Sequence, residues 1–243
     1  MQQNQELPPS AIETLVESRY GYSFSDIGLT AFDLADLDLI QIAKNRDYNQ
    51  FGNESDWENE IEQFLTEIGP NPHWIANRVA HRVAEIAHTI LSTSGKETAW
   101  ICLRAGLPNT KYDQPRWHMD AHYYDVKANS IQYKYALALI GSSTLFYPIP
   151  KEHIETRKII WRHMANRQFM SELCDPGKVV SPQRGQGIYF IAGDCRIAAI
   201  HSEPPIHENR LFFSIIPCHE EEIASLKEKV MQFYKKNKSV YNP

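Results

Sequence analysis

The stretch Arg116-Trp117-His118-Met119-Asp120 decides how this chain is read. It follows a turn-rich loop and opens a short β-prone element, Trp117 to Tyr124. Alternate side chains of a strand face the same side. His118 and Asp120 therefore point together, while Trp117 and Met119 point the other way into packing. An imidazole and a carboxylate on one face can supply two adjacent metal ligands. One more histidine completes a facial triad with open positions, a set suited to non-haem Fe(II) handling of oxygen. In a chain with ten histidines the His-x-Asp pattern alone is weak. Its context adds weight, because apolar strand-length runs separate it from His201, which ends a run and precedes Glu203-Pro204-Pro205.

Working outward, residues 98–103, 131–140, 144–149, 187–192, 196–201 and 210–217 read as strands, broken by Gly106-Leu107-Pro108-Asn109, Gly141-Ser142-Ser143 and Gly193-Asp194. Between them, residues 151–175 turn helical through Ile154, Ile159, Ile160, Met164 and Phe169, an insertion closed by Pro176-Gly177. Residues 1–95 read as a helical support behind a polar lead, Met1 to Pro9. A first helix is capped by Ser10 with Glu13; a second spans Thr30 to Lys44. A third is capped by Ser55 with Glu58 and carries Trp57, Ile61, Phe64, Leu65 and Ile68. The fourth starts at Asn71-Pro72, with Asn71 as N-cap, and carries Ile75, Val79, Val83, Ile86 and Ile90. A last helix carries Ile223, Leu226, Val230 and Phe233 in residues 218–243, with acids before lysines. The fold class expected is α+β with a mainly β core, a β-sandwich or jelly roll (residues 96–217) with helices outside, all in one domain, 1–243.

Arg210 opens a strand on which Arg210, Phe212 and Ser214 share a face. A buried arginine is costly unless an acid meets it, and that strand carries none. A dicarboxylate gripped by the guanidinium would meet the need, and Ser214 could add a hydroxyl.

The series His118-x-Asp120, His201, Arg210 resembles the Fe(II)/2-oxoglutarate-dependent dioxygenases, over residues 98–217. The resemblance implies a double-stranded β-helix flanked by helices, with iron on His118, Asp120 and His201. It also implies that Arg210 pairs with the C5 carboxylate of 2-oxoglutarate, and that O2 is the oxidant. Oxidative decarboxylation to succinate and CO2 would then hydroxylate or demethylate a small molecule or a protein side chain. Retention of Asp120 separates the chain from related halogenases, which lack that carboxylate. One departure is Phe212, standing where many members with Arg have Ser or Thr; Ser214 comes two residues later. Tyr133 and Tyr135 share a strand face, either as members of the 2-oxoglutarate pocket or as ordinary half-buried aromatics. Arg104 and Arg116 either bind an anionic substrate or are surface charges, and His122 takes a substrate-facing or supporting role beside the metal.

Other constellations fare less well. His81, Glu85 and His88 share a helical face and echo a di-iron motif, but the second motif such a site needs is missing; local Glu–His pairing is the simpler reading. There is no Gly-x-Ser-x-Gly, and Gly185-Gln186-Gly187 leads into a strand rather than a helix. A cupin-like jelly roll that binds metal without turnover is the alternative in a different class. A net charge of -5 argues against a nucleic-acid groove as the main surface. Cys102, Cys174, Cys195 and Cys218 are widely spaced, without CxxC, as reduced cytoplasmic thiols would be. The polar N-terminus has no signal-peptide pattern, and no apolar run reaches membrane-spanning length.

Overall fold

The computed structural model describes residues 11–53, 56–109, 113–125 and 131–236. The expected lead, Ser10 and Ser55 lie outside the described residues, as does the side chain of Phe233. The main architecture is a six-stranded antiparallel sheet in the order β1-β6-β4-β8-β3-β2. Its strands are β1 (Tyr22–Gly28), β2 (Arg46–Gly52), β3 (Thr98–Gly106), β4 (Gln132–Ile140), β6 (Gln186–Ala192) and β8 (Arg210–Cys218). A two-stranded sheet pairs β5 (Leu145–Phe146) with β7 (His201–Ser202).

The large sheet has two unlike faces, as the two-residue period requires. On one face Leu103, Leu137, Tyr133, Tyr135, Tyr189, Leu211 and Phe213 form one core with α3 (Trp57–Ile68) and α4 (His73–Ser94). All five stripe residues read for each helix are buried against it. Burial of each such side chain is worth about 1.5–3 kcal/mol relative to leaving it in water. The other face carries Trp100, Arg104, Lys134, Phe190, Arg210 and Phe212 and lines a cavity. Phe146 of the small sheet stacks edge-on against Phe190, which sets the small sheet over this second face. Outside the small sheet, α5 (Ile154–His163) and α6 (Arg167–Leu173) bury Ile160 and Met170 against Trp117, Met119 and Ile200. At the far end α7 (Ile223–Lys236) buries Leu226 and Val230 against Trp100 and Ile216.

The N-terminal third is not all helical. After α1 (Ala11–Glu17), β1 and β2 form the two edges of the large sheet. The second helix, α2 (Ala31–Leu37), is half the length expected. Thr30 and Asp33 make a reciprocal capping box at its start, but the chain leaves the helix at Leu37; Phe32 within it and Leu39 beyond it are exposed, while Ile40 and Ile42 are buried. Pro72, not Asn71, is the N-cap of α4; the Asn71 side chain instead bonds the main chain of Gln41 and the carbonyl of Leu65. Arg196 lies in a turn, and the strand expected at 196–201 shrinks to His201–Ser202. Among the described residues no helix is long and apolar enough to cross a membrane.

Candidate metal centre and its cavity

Trp117 and Met119 are buried under the insertion helices, which turns His118 and Asp120 to the opposite side as the alternation requires. The element that carries them is a single bridge rather than a strand. His118 N–H donates to the His201 carbonyl at 2.8 Å, and His201 N–H returns the bond to His118 at 2.9 Å. This reciprocal pair brings the two imidazoles to a centroid separation of 4.3 Å. His118 Nε2 lies 3.5 Å from Asp120 Oδ1, and His201 Nε2 lies 3.5 Å from Asp120 Oδ2. One donor atom from each of the three lies within 4.8 Å of the others.

The imidazoles are oriented from behind. His118 Nδ1 is 2.7 Å from the Arg116 carbonyl and His201 Nδ1 is 3.2 Å from that of Ala199. A carbonyl can only accept, so each Nδ1 carries a proton and each Nε2 is the atom turned to the centre, the orientation of metal-bound histidines. Burial works against a charged His201 and pushes its pKa down to about 3, despite Asp120. Burial alone would raise the Asp120 carboxyl, but His201, Lys134 and His118 outweigh it and hold the group well below its ordinary value. Tyr123 donates its hydroxyl to Asp120 Oδ2. The result is a neutral His201, the His118 imidazole and one carboxylate facing a common centre. The three groups lie close enough together to hold one ion between them.

Arg210 is buried at the head of β8. Its Nε donates to the Ser142 carbonyl at 2.9 Å, and its guanidinium carbon lies 4.6 Å over the Phe212 ring. Its Nη2 is buried without a hydrogen-bond partner among the described residues. Burial, with Arg104 adding to it, pushes its pKa down to about 9. A buried donor left unmet costs about 1–3 kcal/mol, more when charged, so the site is built for an acceptor that arrives from outside. A carboxylate fits.

Both groups line one cavity of about 710 Å³, within the usual range for small-molecule sites. Phe190, Phe212, Trp100, Met164 and Met170 provide its apolar walls. Arg104 and Arg116 line it as well and converge on Glu203: Arg104 Nη1 is 3.3 Å from Glu203 Oε1, and Arg116 bonds Oε2. His122 also lines it, packed on Gly193. That glycine has φ +98°, and a Cβ there would meet the imidazole at 2.3 Å.

Two expectations are corrected. Tyr133 and Tyr135 face the helices, not the cavity; Tyr135 donates to the Ile27 carbonyl at 2.8 Å, over a glycine, Gly187, whose missing Cβ leaves the room. The residue between them, Lys134, is the one that reaches the cavity. Ser214 is buried on the Arg210 side of β8 but is not among the residues that line the cavity. Lys134, Tyr123 and Glu203 line the cavity without having been assigned to the site by sequence. Only Lys134 left a signal, as the one charge in the apolar run Gln132–Ile140. Its Nζ is 3.8 Å from Asp120 Oδ2, between the rings of Phe190 and Tyr123 at 5.7 and 5.9 Å. The His81 constellation is a solvated face: His81 pairs with Glu58 and Glu85, and His88 packs on Trp57.

No family model matches the chain, and no curated protein matches it either. Solved structures do. A prolyl-4-hydroxylase of Pseudomonas putida is 12% identical, covers 86% of this chain and 97% of its own, and has a TM-score of 0.41. The rice dioxygenase for auxin oxidation is 9% identical, with coverage of 87% and 79% and a TM-score of 0.47. The non-haem α-ketoglutarate-dependent epimerase SnoN of nogalamycin biosynthesis is 14% identical, with coverage of 86% and 83% and a TM-score of 0.43. Fold and site together define a mixed α/β protein whose antiparallel sheet backs a candidate two-histidine, one-carboxylate metal centre.

Proposed function

We propose that this protein is an Fe(II)- and 2-oxoglutarate-dependent oxygenase of the hydroxylase type, built on a jelly-roll core. One observation carries the reading: a two-histidine, one-carboxylate set and a buried guanidinium lacking an acceptor line the same cavity. Iron with 2-oxoglutarate, when bound, supplies O2 activation: the keto acid is decarboxylated to succinate and CO2, and a substrate C–H becomes C–OH.

The chain's own residues prepare that chemistry. His118 and His201 turn Nε2 to the centre because their Nδ1 protons are committed to main-chain carbonyls. Asp120 stays ionised and is steadied by the Tyr123 hydroxyl. Arg210 would receive the far carboxylate of the co-substrate in a charge-assisted bond, with the Phe212 ring below. The apolar walls keep water from the reacting centre. Four free cysteines suit a reducing compartment, and we assign the cytoplasm.

The test is anaerobic titration of the protein with Fe(II) and then 2-oxoglutarate, followed by calorimetry and visible absorption. One equivalent of each is expected to bind, with a charge-transfer band that His201→Ala removes. Metal uptake without any keto-acid binding would sink the oxygenase reading in favour of a metal-binding jelly roll without turnover.

A further inference from the structure

We infer that the substrate of this cavity is an organic acid with an apolar body, and that Lys134 receives its acid group. The inference rests on the oxygenase reading for the identity of the other occupants. It begins from a contrast of charge: the chain as a whole carries -5, yet the cavity is lined by Arg104, Arg116, Lys134, Arg167, Arg210 and Lys229 against two acids, Asp120 and Glu203; Lys229 is already paired, with Asp125. Glu203 is already shared by Arg104 and Arg116. Asp120 belongs to the metal centre, and a divalent ion there adds more positive charge than the carboxylate removes. The co-substrate has two carboxylates; one answers Arg210 and the other is directed to the metal. Lys134 is then left without an acid of its own.

Its surroundings say what is missing. An ammonium has three donors. Among the described residues none of them has a hydrogen-bonded acceptor, because Asp120 Oδ2 at 3.8 Å is an ion pair beyond bonding range. The group is held instead between the faces of Tyr123 and Phe190. These rings stabilise a cation but accept no strong hydrogen bond. The Lys134 side chain keeps 15% exposure, so water serves its donors until a ligand displaces it; a charge then left without an acceptor is costly, and an anion entering the cavity removes the cost. A neutral substrate would leave it, and a cationic one would add to it. The rest of the ligand is set by the walls: Trp100, Met164, Met170 and Phe212 ask for an aromatic or aliphatic body. An excess of cations in a cleft of an otherwise acidic protein also concentrates anions at its mouth.

The experiment uses the full chain loaded with Mn(II) and 2-oxoglutarate, whose binding is measured first. It is then titrated with matched probes, carboxylic acids and their primary amides with phenyl, indolyl, naphthyl and octyl bodies. Charge-assisted hydrogen bonds are worth about 1.5–3 kcal/mol, so at least one acid should bind about 10–100-fold more tightly than its amide. Lys134→Met should abolish that preference and Lys134→Arg should retain it, while the affinity for 2-oxoglutarate changes little in both. The inference is overturned if no acid outperforms its amide. It is equally overturned if Lys134→Met weakens 2-oxoglutarate binding and spares the preference, since Lys134 would then hold the co-substrate. Acid preference in a protein that fails to bind 2-oxoglutarate would sink the oxygenase reading and leave the anionic cavity standing.

Discussion

Among the described residues two arginines are buried, and their surroundings differ in kind. Arg157, on α5, is fully buried and donates to three main-chain carbonyls, those of Ile149, Cys195 and Ala198. It ties the insertion helices to the segment that delivers His201. Arg210 donates to one carbonyl, lies over one ring and leaves Nη2 unmet. Burial depresses both, Arg157 to about 10 and Arg210 to about 9. Burial therefore does not tell them apart; what separates them is whether the chain itself supplies the acceptors. An arginine whose donors are met by the fold is a structural tie, and one whose donors are not is waiting for a ligand.

Substitution is the direct way to break this contrast. Arg157→Met should cost about 3–5 kcal/mol of stability, because it orphans three buried carbonyls together, and chemical denaturation would measure it. Arg210→Met should change stability by only about 1 kcal/mol, since it removes a charge that is not satisfied. Its loss should instead fall on 2-oxoglutarate affinity, by about 100-fold in calorimetry. If both variants lost stability equally, the distinction would fail. The glycine behind the site sharpens it further. Gly193→Ala should cost about 1–3 kcal/mol through its left-handed backbone. It should also displace His122, which an NMR shift of that imidazole would report. The smallest effect belongs to Tyr135→Phe, about 1 kcal/mol for one lost hydrogen bond, with keto-acid affinity unchanged because the ring faces the helices.

The parts of this architecture that sequence could reveal are those with a period. The stripe from Ile75 to Ile90, the apolar run at 132–140 and the alternation Trp117/His118/Met119/Asp120 each announce which side meets the core. The edge strands carry no such mark. Arg-Asp-Tyr-Asn-Gln-Phe-Gly at 46–52 is half-exposed along its length, so its pairing with β3 rests on main-chain bonds that any side chain allows. Lys134 was hidden for the opposite reason. Its strand reads as apolar on both faces, and the aromatic neighbours drew attention to the wrong one. Glu203 meets Arg104 and Arg116 only through tertiary folding, across separations no local pattern encodes.

The reciprocal main-chain bridge between positions 118 and 201 has a consequence of its own. Because peptide groups, not imidazoles, fix the distance between these two points, whatever residues evolution installs there will be held side by side. The pairing should therefore persist in protein stripped of metal, and a change of ligand type at either point alters which ion is chosen without dismantling the scaffold that presents it.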